Sequence, residues 1–247
     1  MGRNIIGGLV GYAGLFVIIF STYTTGCRGT EVNASIAPDT VTRGEFSMAD
    51  LTRQELVQRA AKLGSPIRAA LEKPETVVEP MPTSFFSDGG IYRVSTQPPD
   101  RPRLYVLGVW GTDGIRVLNA DPEGYFDLAA HGGLKLSTGN DYVSYVTTFL
   151  DATRDFTGGV QVLNNIEESW WLPSPTPEET RKREEVIATY AKVVEAPKAS
   201  HDSNSTVIVY CIRDRVLLRL KANVESTGKI QISEDVLEAA MPTVMLR

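Results

Sequence analysis

The feature that most constrains the fold of this chain is a run of alternating residues near its C-terminal end. Residues 215–224 read RVLLRLKANV, in which apolar side chains at every second position alternate with charged or polar ones. A period of two is typical of a half-buried β-strand. The apolar run TVIVYCI precedes it at 206–212, and KIQIS follows at 229–233 after the turn sequence ESTG. These three runs predict an antiparallel meander with 206–212 as a central strand.

A second set of strand-like runs lies in the first half of the chain. The turn sequences GTDG and DPEG separate its later members. Gly, Asp and Pro at these positions are typical of tight turns, so we expect a second antiparallel meander. Its predicted strands cover residues 90–96, 103–110, 114–120 and 124–130.

Three helices have clear start signals. Thr52-x-x-Glu55 is a capping box that opens a helix ending near Gly64, and Ser65-Pro66 starts a short second helix through Leu71. In the segment TPEE, Thr176 is predicted to cap a long surface helix, with proline in its first turn and Glu179 completing the box. These signals depend only on neighbouring residues, so they predict helices regardless of the rest of the fold.

Other segments have weaker signals. Residues 140–156 combine helical spacing with many β-branched and aromatic residues, and their length favours a helix capped by Asn140 or Asp141. A short strand is predicted at 160–163, a short final helix from Ser233 to Ala240, and a proline-rich connector at 73–88. The predicted strands do not alternate regularly with helices along the chain. The predicted class is therefore α+β, with antiparallel β-meanders and packed helices rather than a doubly wound parallel sheet.

The N-terminal segment predicts a membrane or signal function. Residues 5–20 contain no charge, and Asn4 to Gly26 is long enough to span the hydrocarbon core as a helix. Arg3 precedes it, which favours an orientation with the bulk of the chain outside the cytoplasm. Gly7 and Gly11 have a spacing that allows close contact with another membrane helix.

Cys27 is the candidate lipid attachment residue. The sequence Thr24-Thr25-Gly26-Cys27 resembles the bacterial lipobox, with Thr24 standing where that motif has a leucine-like residue. Three interpretations stay open: an uncleaved transmembrane anchor, a lipoprotein signal cut before Cys27, and an ordinary secretory signal. All three predict residues 1–27 as the anchor or signal segment, 28–47 as a polar flexible tether, and 48–247 as an extracytoplasmic domain, periplasmic or extracellular.

Catalytic chemistry finds little support in the sequence. His131 has Asp127 four residues before it and Ser137 and Thr138 after it, but no nucleophile elbow accompanies them. Glu167 and Glu168 are adjacent, which is common on an acidic chain. Two histidines and two cysteines with no metal-binding spacing predict no metal and no cofactor. Cys211 lies in an apolar run and is expected to be a buried thiol.

Trp170 and Trp171 are the candidate contact residues for a partner. Two adjacent tryptophans before a proline-bounded loop suit either the core or an exposed contact surface. A formal charge of −5 disfavours nucleic acid as a partner. The sequence predicts a membrane-tethered envelope protein that binds or scaffolds a protein partner without catalysis. The alternatives are an accessory subunit of a larger membrane complex and a tethered hydrolase using His131.

Overall fold

The computed structural model describes residues 51–96, 103–155, 159–200 and 203–245. The predicted anchor or signal segment at 1–27, with Cys27, and the predicted tether at 28–47 lie outside these residues. The described part forms an α+β fold with two antiparallel sheets, as the sequence predicted. The predicted transmembrane or signal segment therefore stays a prediction.

The first sheet has four strands in the order β1-β2-β3-β4. Two helices precede it, and both begin where the sequence predicted, the second without a side-chain cap. Thr52 and Glu55 form the reciprocal capping box of the first helix. The elements are α1 (Arg53–Ala60), α2 (Ser65–Glu72), β1 (Val77–Pro80), β2 (Gly89–Thr96), β3 (Arg103–Trp110) and β4 (Gly114–Val117).

The second sheet follows two central helices. Its order is β5-β7-β8-β9, and β6 pairs with β7 beside β5. The predicted strand at 206–212 is central, as expected, because β7 is paired along both edges. The remaining elements are α3 (Pro122–His131), α4 (Gly139–Ala152), β5 (Val160–Leu163), a turn of 3₁₀ helix (Ile166–Glu168), α5 (Pro177–Tyr190), β6 (Lys198–Ser200), β7 (Ser203–Arg213), β8 (Val216–Val224) and β9 (Ile230–Glu238).

Four sequence predictions of local structure were wrong. Residues 140–152 are helical as predicted, but the cap of α4 is Thr138 and not Asn140 or Asp141. The run at 124–130 is not a strand but most of α3: Asp121 caps it by accepting a hydrogen bond from the Gly124 amide, so DPEG is a helix start and not a turn. The predicted final helix from Ser233 is absent because β9 continues through Glu238 against β8. The connector at 73–88 contains β1, an edge strand paired with β2.

The central core fills the space between the two sheets. It joins one face of each sheet to α3 and α4, with a tyrosine and phenylalanine cluster in its middle. The Tyr125 hydroxyl donates to the Tyr145 carbonyl, and the Tyr145 hydroxyl donates to the Gly228 carbonyl in the β8–β9 turn, at 2.9 and 2.7 Å. Burying these hydroxyls with partners avoids the cost of unpaired polar atoms.

Two outer cores cover the remaining sheet faces. α1 and α2 pack on the outer face of the first sheet, against Tyr92, Val94, Leu107 and Val109. α5 and the 3₁₀ turn pack on the outer face of the second sheet, around Leu163, Tyr210, Ile212 and Leu217. Successive side chains along a strand thus lie on opposite faces of the sheet and pack in different cores. The result is five layers: α1 and α2, first sheet, α3 and α4, second sheet, α5.

Candidate functional site

The two tryptophans lie on the loop between the 3₁₀ turn and α5, here called the tryptophan loop (residues 169–176). The Gln161 side chain of β5 holds the start of this loop. Its amide nitrogen donates to the Glu168 carbonyl at 2.8 Å, and its oxygen accepts from the Trp170 amide at 3.1 Å. Since Gln161 belongs to a strand of the second sheet, the loop is attached directly to the rigid part of the domain.

A second chain segment, residues 241–245, holds the other side of the loop and is here called the C-terminal strap. The Leu172 amide donates to the Pro242 carbonyl at 3.0 Å, and the Val244 amide donates to the Trp170 carbonyl at 2.8 Å. These two bonds make Trp171 and Thr243 an antiparallel bridge pair. The main chain of Trp170 is therefore fixed at both its amide and its carbonyl.

The structure separates the two tryptophans. Trp171 is half-buried against the outer core under α5. Its indole nitrogen donates to the Glu167 carbonyl at 3.3 Å, and the Arg183 guanidinium lies 5.3 Å from its ring centroid. This distance is within the range of a cation–π interaction. Trp171 thus connects the tryptophan loop to α5.

Trp170 is 49% exposed, although its main chain is fixed. Met245, in the strap, is also 49% exposed. A large aromatic side chain on a fixed backbone loses little conformational entropy when a partner covers it. Of the two tryptophans that the sequence singled out, Trp170 has the exposed geometry of a contact residue. Trp171 instead connects the tryptophan loop to the domain.

His131 lies at the C-terminal end of α3 and is exposed. Its Nδ1 is 2.8 Å from the Asp127 main-chain carbonyl, and its ring stacks on Trp110 with centroids 6.2 Å apart. The Asp127 carboxylate pairs instead with Arg116. Among the described residues, no serine or threonine hydroxyl bonds to His131. Thr138, which follows it in the sequence, caps α4 instead. The surroundings of His131 do not form an acid–base–nucleophile arrangement.

The carboxylates of Glu168 and Asp151 have structural partners. Both oxygens of Glu168 accept from the side chains of Asn164 and Asn165, at 2.9 and 2.8 Å. Asp151 pairs with Arg93 at 2.6 Å and lies 3.8 Å from Arg154. In the ranges that the structure covers, no group of three or more His, Cys, Asp or Glu side chains is placed to hold a metal ion.

Cys211 lies in β7 and faces the central core, where it is buried as the sequence predicted. Loss of hydration in this apolar environment raises the pKa of its thiol to about 12. A thiolate is the nucleophilic form of cysteine, so this residue is inert in the folded state. Cys27 is outside the described residues, and its role stays a prediction.

The sequence gives no signal that Gln161, Arg183 or the strap belongs to the tryptophan site. Gln161 reads as one polar residue in a short strand, and Arg183 as one charge on a solvated helix. The strap acts mainly through main-chain hydrogen bonds, which leave no pattern in side-chain identity. Pairing of distant segments decides these contacts, so local periodicity does not signal them.

No family model, no curated protein and no solved structure matches the chain. Over the described ranges, none of the helices combines the length and the apolar character needed to cross a membrane. The function of this chain is therefore inferred from its own residues.

Proposed function

We propose that this chain is a membrane-tethered binding or scaffolding protein of the cell envelope, with its α+β domain outside the cytoplasm and Trp170 as its main contact with a protein partner. The proposal is supported most directly by Trp170, which is half-exposed on a backbone held by Gln161 and Val244. Interface residues that dominate binding energy are enriched in tryptophan.

The tether in this proposal is supported by the sequence. The uncharged stretch at 5–20 suits a membrane segment, and the polar residues at 28–47 suit a flexible connection. Tethering restricts the domain to a layer near the membrane and raises its effective concentration toward a partner there. A modest contact surface centred on one tryptophan would then be sufficient for binding.

We assign the protein no catalysis of its own. The carboxylates of Asp127, Asp151 and Glu168 form ion pairs or hydrogen bonds within the domain. The His131 imidazole stacks on Trp110 and contacts a main-chain carbonyl. These contacts favour structural roles for the residues that a hydrolase would need.

The decisive experiment compares Trp170→Ala with Val236→Ala in the full-length chain. Val236 is 65% exposed on β9 and serves as the matched control for loss of an exposed apolar side chain. Partners would be cross-linked in native membranes, purified with the tagged chain and quantified. We expect Trp170→Ala to reduce recovery of a specific partner by about thirty-fold or more, and Val236→Ala to leave it unchanged.

Thermal unfolding of both variants completes this test. Because the Trp170 ring is half in solvent, its removal is expected to change the melting temperature little. Equal partner recovery from the two variants would contradict the proposed contact. Loss of folding in Trp170→Ala would show that the residue stabilises the domain instead.

The membrane part of the proposal has its own test. The mass of the mature chain, extracted from its native membranes, distinguishes an acylated chain beginning at Cys27 from one that retains residues 5–26. Replacing residues 5–26 by an unrelated membrane helix then separates tethering, which survives the exchange, from a subunit role, which does not. A mature chain recovered only from the cytoplasm, with no acyl chain, would contradict the tether.

A further inference from the structure

The link between β9 and the C-terminal strap is short and strained. β9 ends at Glu238, and Ala239 and Ala240 join it to Met241. Both alanines are exposed, and Ala240 has φ of +53°. The left-handed region is unfavourable for a residue with a Cβ atom, and glycine would adopt it freely. The chain therefore makes an unfavourable bend just before the strap.

The strap occupies a well-defined position on the domain, here called its seat, which is formed by the outer core under α5 together with Arg215, Trp170 and Leu172. Met241 is completely buried in the outer core under α5. Its amide donates to the Arg215 carbonyl at 2.7 Å, and the Arg215 Nε donates to its carbonyl at 2.9 Å. Together with the bonds to Trp170 and Leu172, these contacts depend on the strap sequence and not on which chain supplies it.

One feature weakens the hold of the strap in its seat. Thr243 is only 2% exposed, and none of the described residues forms a hydrogen bond with its hydroxyl. A buried unpaired hydroxyl is costly, so it favours transient release of the strap into solvent. Release also removes the bend at Ala240.

We infer that the C-terminal strap is exchanged between two copies of this chain. In the exchanged dimer, the strap of one copy fills the seat of the other, and the link at 239–240 opens to an extended path. Each strap keeps its contacts, while the strain at Ala240 is relieved in both copies. A short strained hinge next to a detachable segment is the arrangement that promotes this kind of dimer.

The exchange would place part of one copy in the tryptophan site of the other. The Val244 amide that fixes the Trp170 carbonyl would then come from the second copy, together with the exposed Met245. This inference does not depend on the partner proposed above, because dimerisation is measured on the chain alone.

The test measures the dimer-to-monomer ratio of the full-length chain in detergent micelles by native mass spectrometry. Ala240→Gly relieves the bend in the monomer and is expected to lower the ratio about ten-fold or more. Ala240→Pro forbids a positive φ and is expected to raise the ratio. Ala239→Gly, whose φ is not positive, is the matched control and should behave like the wild type. All variants keep residues 5–26, so the differences between them report on the strap.

A chain ending at Ala240 gives an independent measurement. It should form no strap-dependent dimer and should bind the synthetic peptide MPTVMLR, which has the sequence of residues 241–247. An unchanged ratio in all four full-length proteins would overturn the inference. A purely monomeric Ala240→Pro protein with a released strap would also overturn it. If the shortened chain or Ala240→Pro fails to fold, the dimer-to-monomer ratios of the wild type and Ala240→Gly still test the inference.

Discussion

At the residue scale, single atoms decide how far elements approach each other. Gly228 lies in the β8–β9 turn with φ of +85°, and it is buried although it belongs to a hairpin turn. A Cβ atom there would lie 2.7 Å from Leu134 Cδ2 and 2.8 Å from Ala129 Cβ. The missing side chain lets the turn pack on α3, and its carbonyl accepts the buried Tyr145 hydroxyl.

We predict that Gly228→Ala lowers the free energy of unfolding by about 2–4 kcal/mol, through backbone strain together with overpacking. Gly111→Ala is the matched control. Gly111 also has a positive φ, of +51°, but none of the described residues has an atom within 4 Å of the added Cβ. The Gly111→Ala substitution should lower the free energy of unfolding by only about 1 kcal/mol, from backbone strain alone. Urea unfolding of both variants measures the difference, and equal losses would show that the turn is not tightly packed.

At the element scale, helix starts depend on local hydrogen bonds. α1, α4 and α5 each begin with a reciprocal capping box: Thr52 with Glu55, Thr138 with Asp141, and Thr176 with Glu179. In each box the acidic side chain accepts a main-chain hydrogen bond that favours its charged form. These bonds, mainly from the amides of Thr52, Ser137 and Thr176 respectively, lower the pKa of Glu55, Asp141 and Glu179.

The sign of the pH dependence follows from these lowered pKa values. A carboxyl whose pKa is lower in the folded state stabilises the fold above its unfolded pKa of about 4, and this contribution is lost as the pH falls through the folded value. We predict that the E55Q/E179Q variant loses less free energy of unfolding between pH 6 and pH 3 than the wild type does. Glutamine keeps an acceptor oxygen but does not titrate.

The matched control for this prediction is E75Q/E184Q, which removes two exposed carboxylates outside any cap. Chemical denaturation at pH 6, 5, 4 and 3 gives the unfolding free energy of each protein. The control should keep the pH dependence of the wild type. If E55Q/E179Q and the control change it equally, the caps have no special contribution.

At the scale of the whole molecule, the two sheets share one core. α3 and α4 lie between them, and the central core contains Ile91 and Val106 from the first sheet together with Val209 and Leu218 from the second. Neither sheet can lose this contact without exposing the apolar surface of the other. We therefore expect the described part of the chain to unfold cooperatively.

Cys211 gives a direct probe of this cooperativity. Its thiol is buried in the central core, and burial raises its pKa to about 12. We predict that an alkylating reagent at pH 8 modifies Cys211 only in molecules that have unfolded. In increasing urea, modification of Cys211, read by peptide mass spectrometry, should follow the same transition as circular dichroism. Modification at lower urea, or two separate transitions, would contradict a single cooperative unit.

The sequence by itself determined the features that depend on neighbouring residues. The capping boxes at Thr52 and Thr176 predicted helix starts, and the alternation in 215–224 predicted the alternating burial of β8 from Leu218 to Val224. A cap needs only three or four residues, and strand alternation needs only one buried face. From these signals the α+β class with antiparallel sheets was predictable.

Only the tertiary structure decided which separate segments of the chain come into contact. Residues 124–130 have a local helix signal in the cap at Asp121, whereas β9 extends to Glu238 only because β8 pairs with it that far. The same holds for the tryptophan site, where Gln161 and the strap fix the main chain of Trp170. The strap is held mainly by main-chain hydrogen bonds to a segment far away in the chain, and Gln161 is one polar residue in a short strand. Side-chain identity therefore did not reveal them.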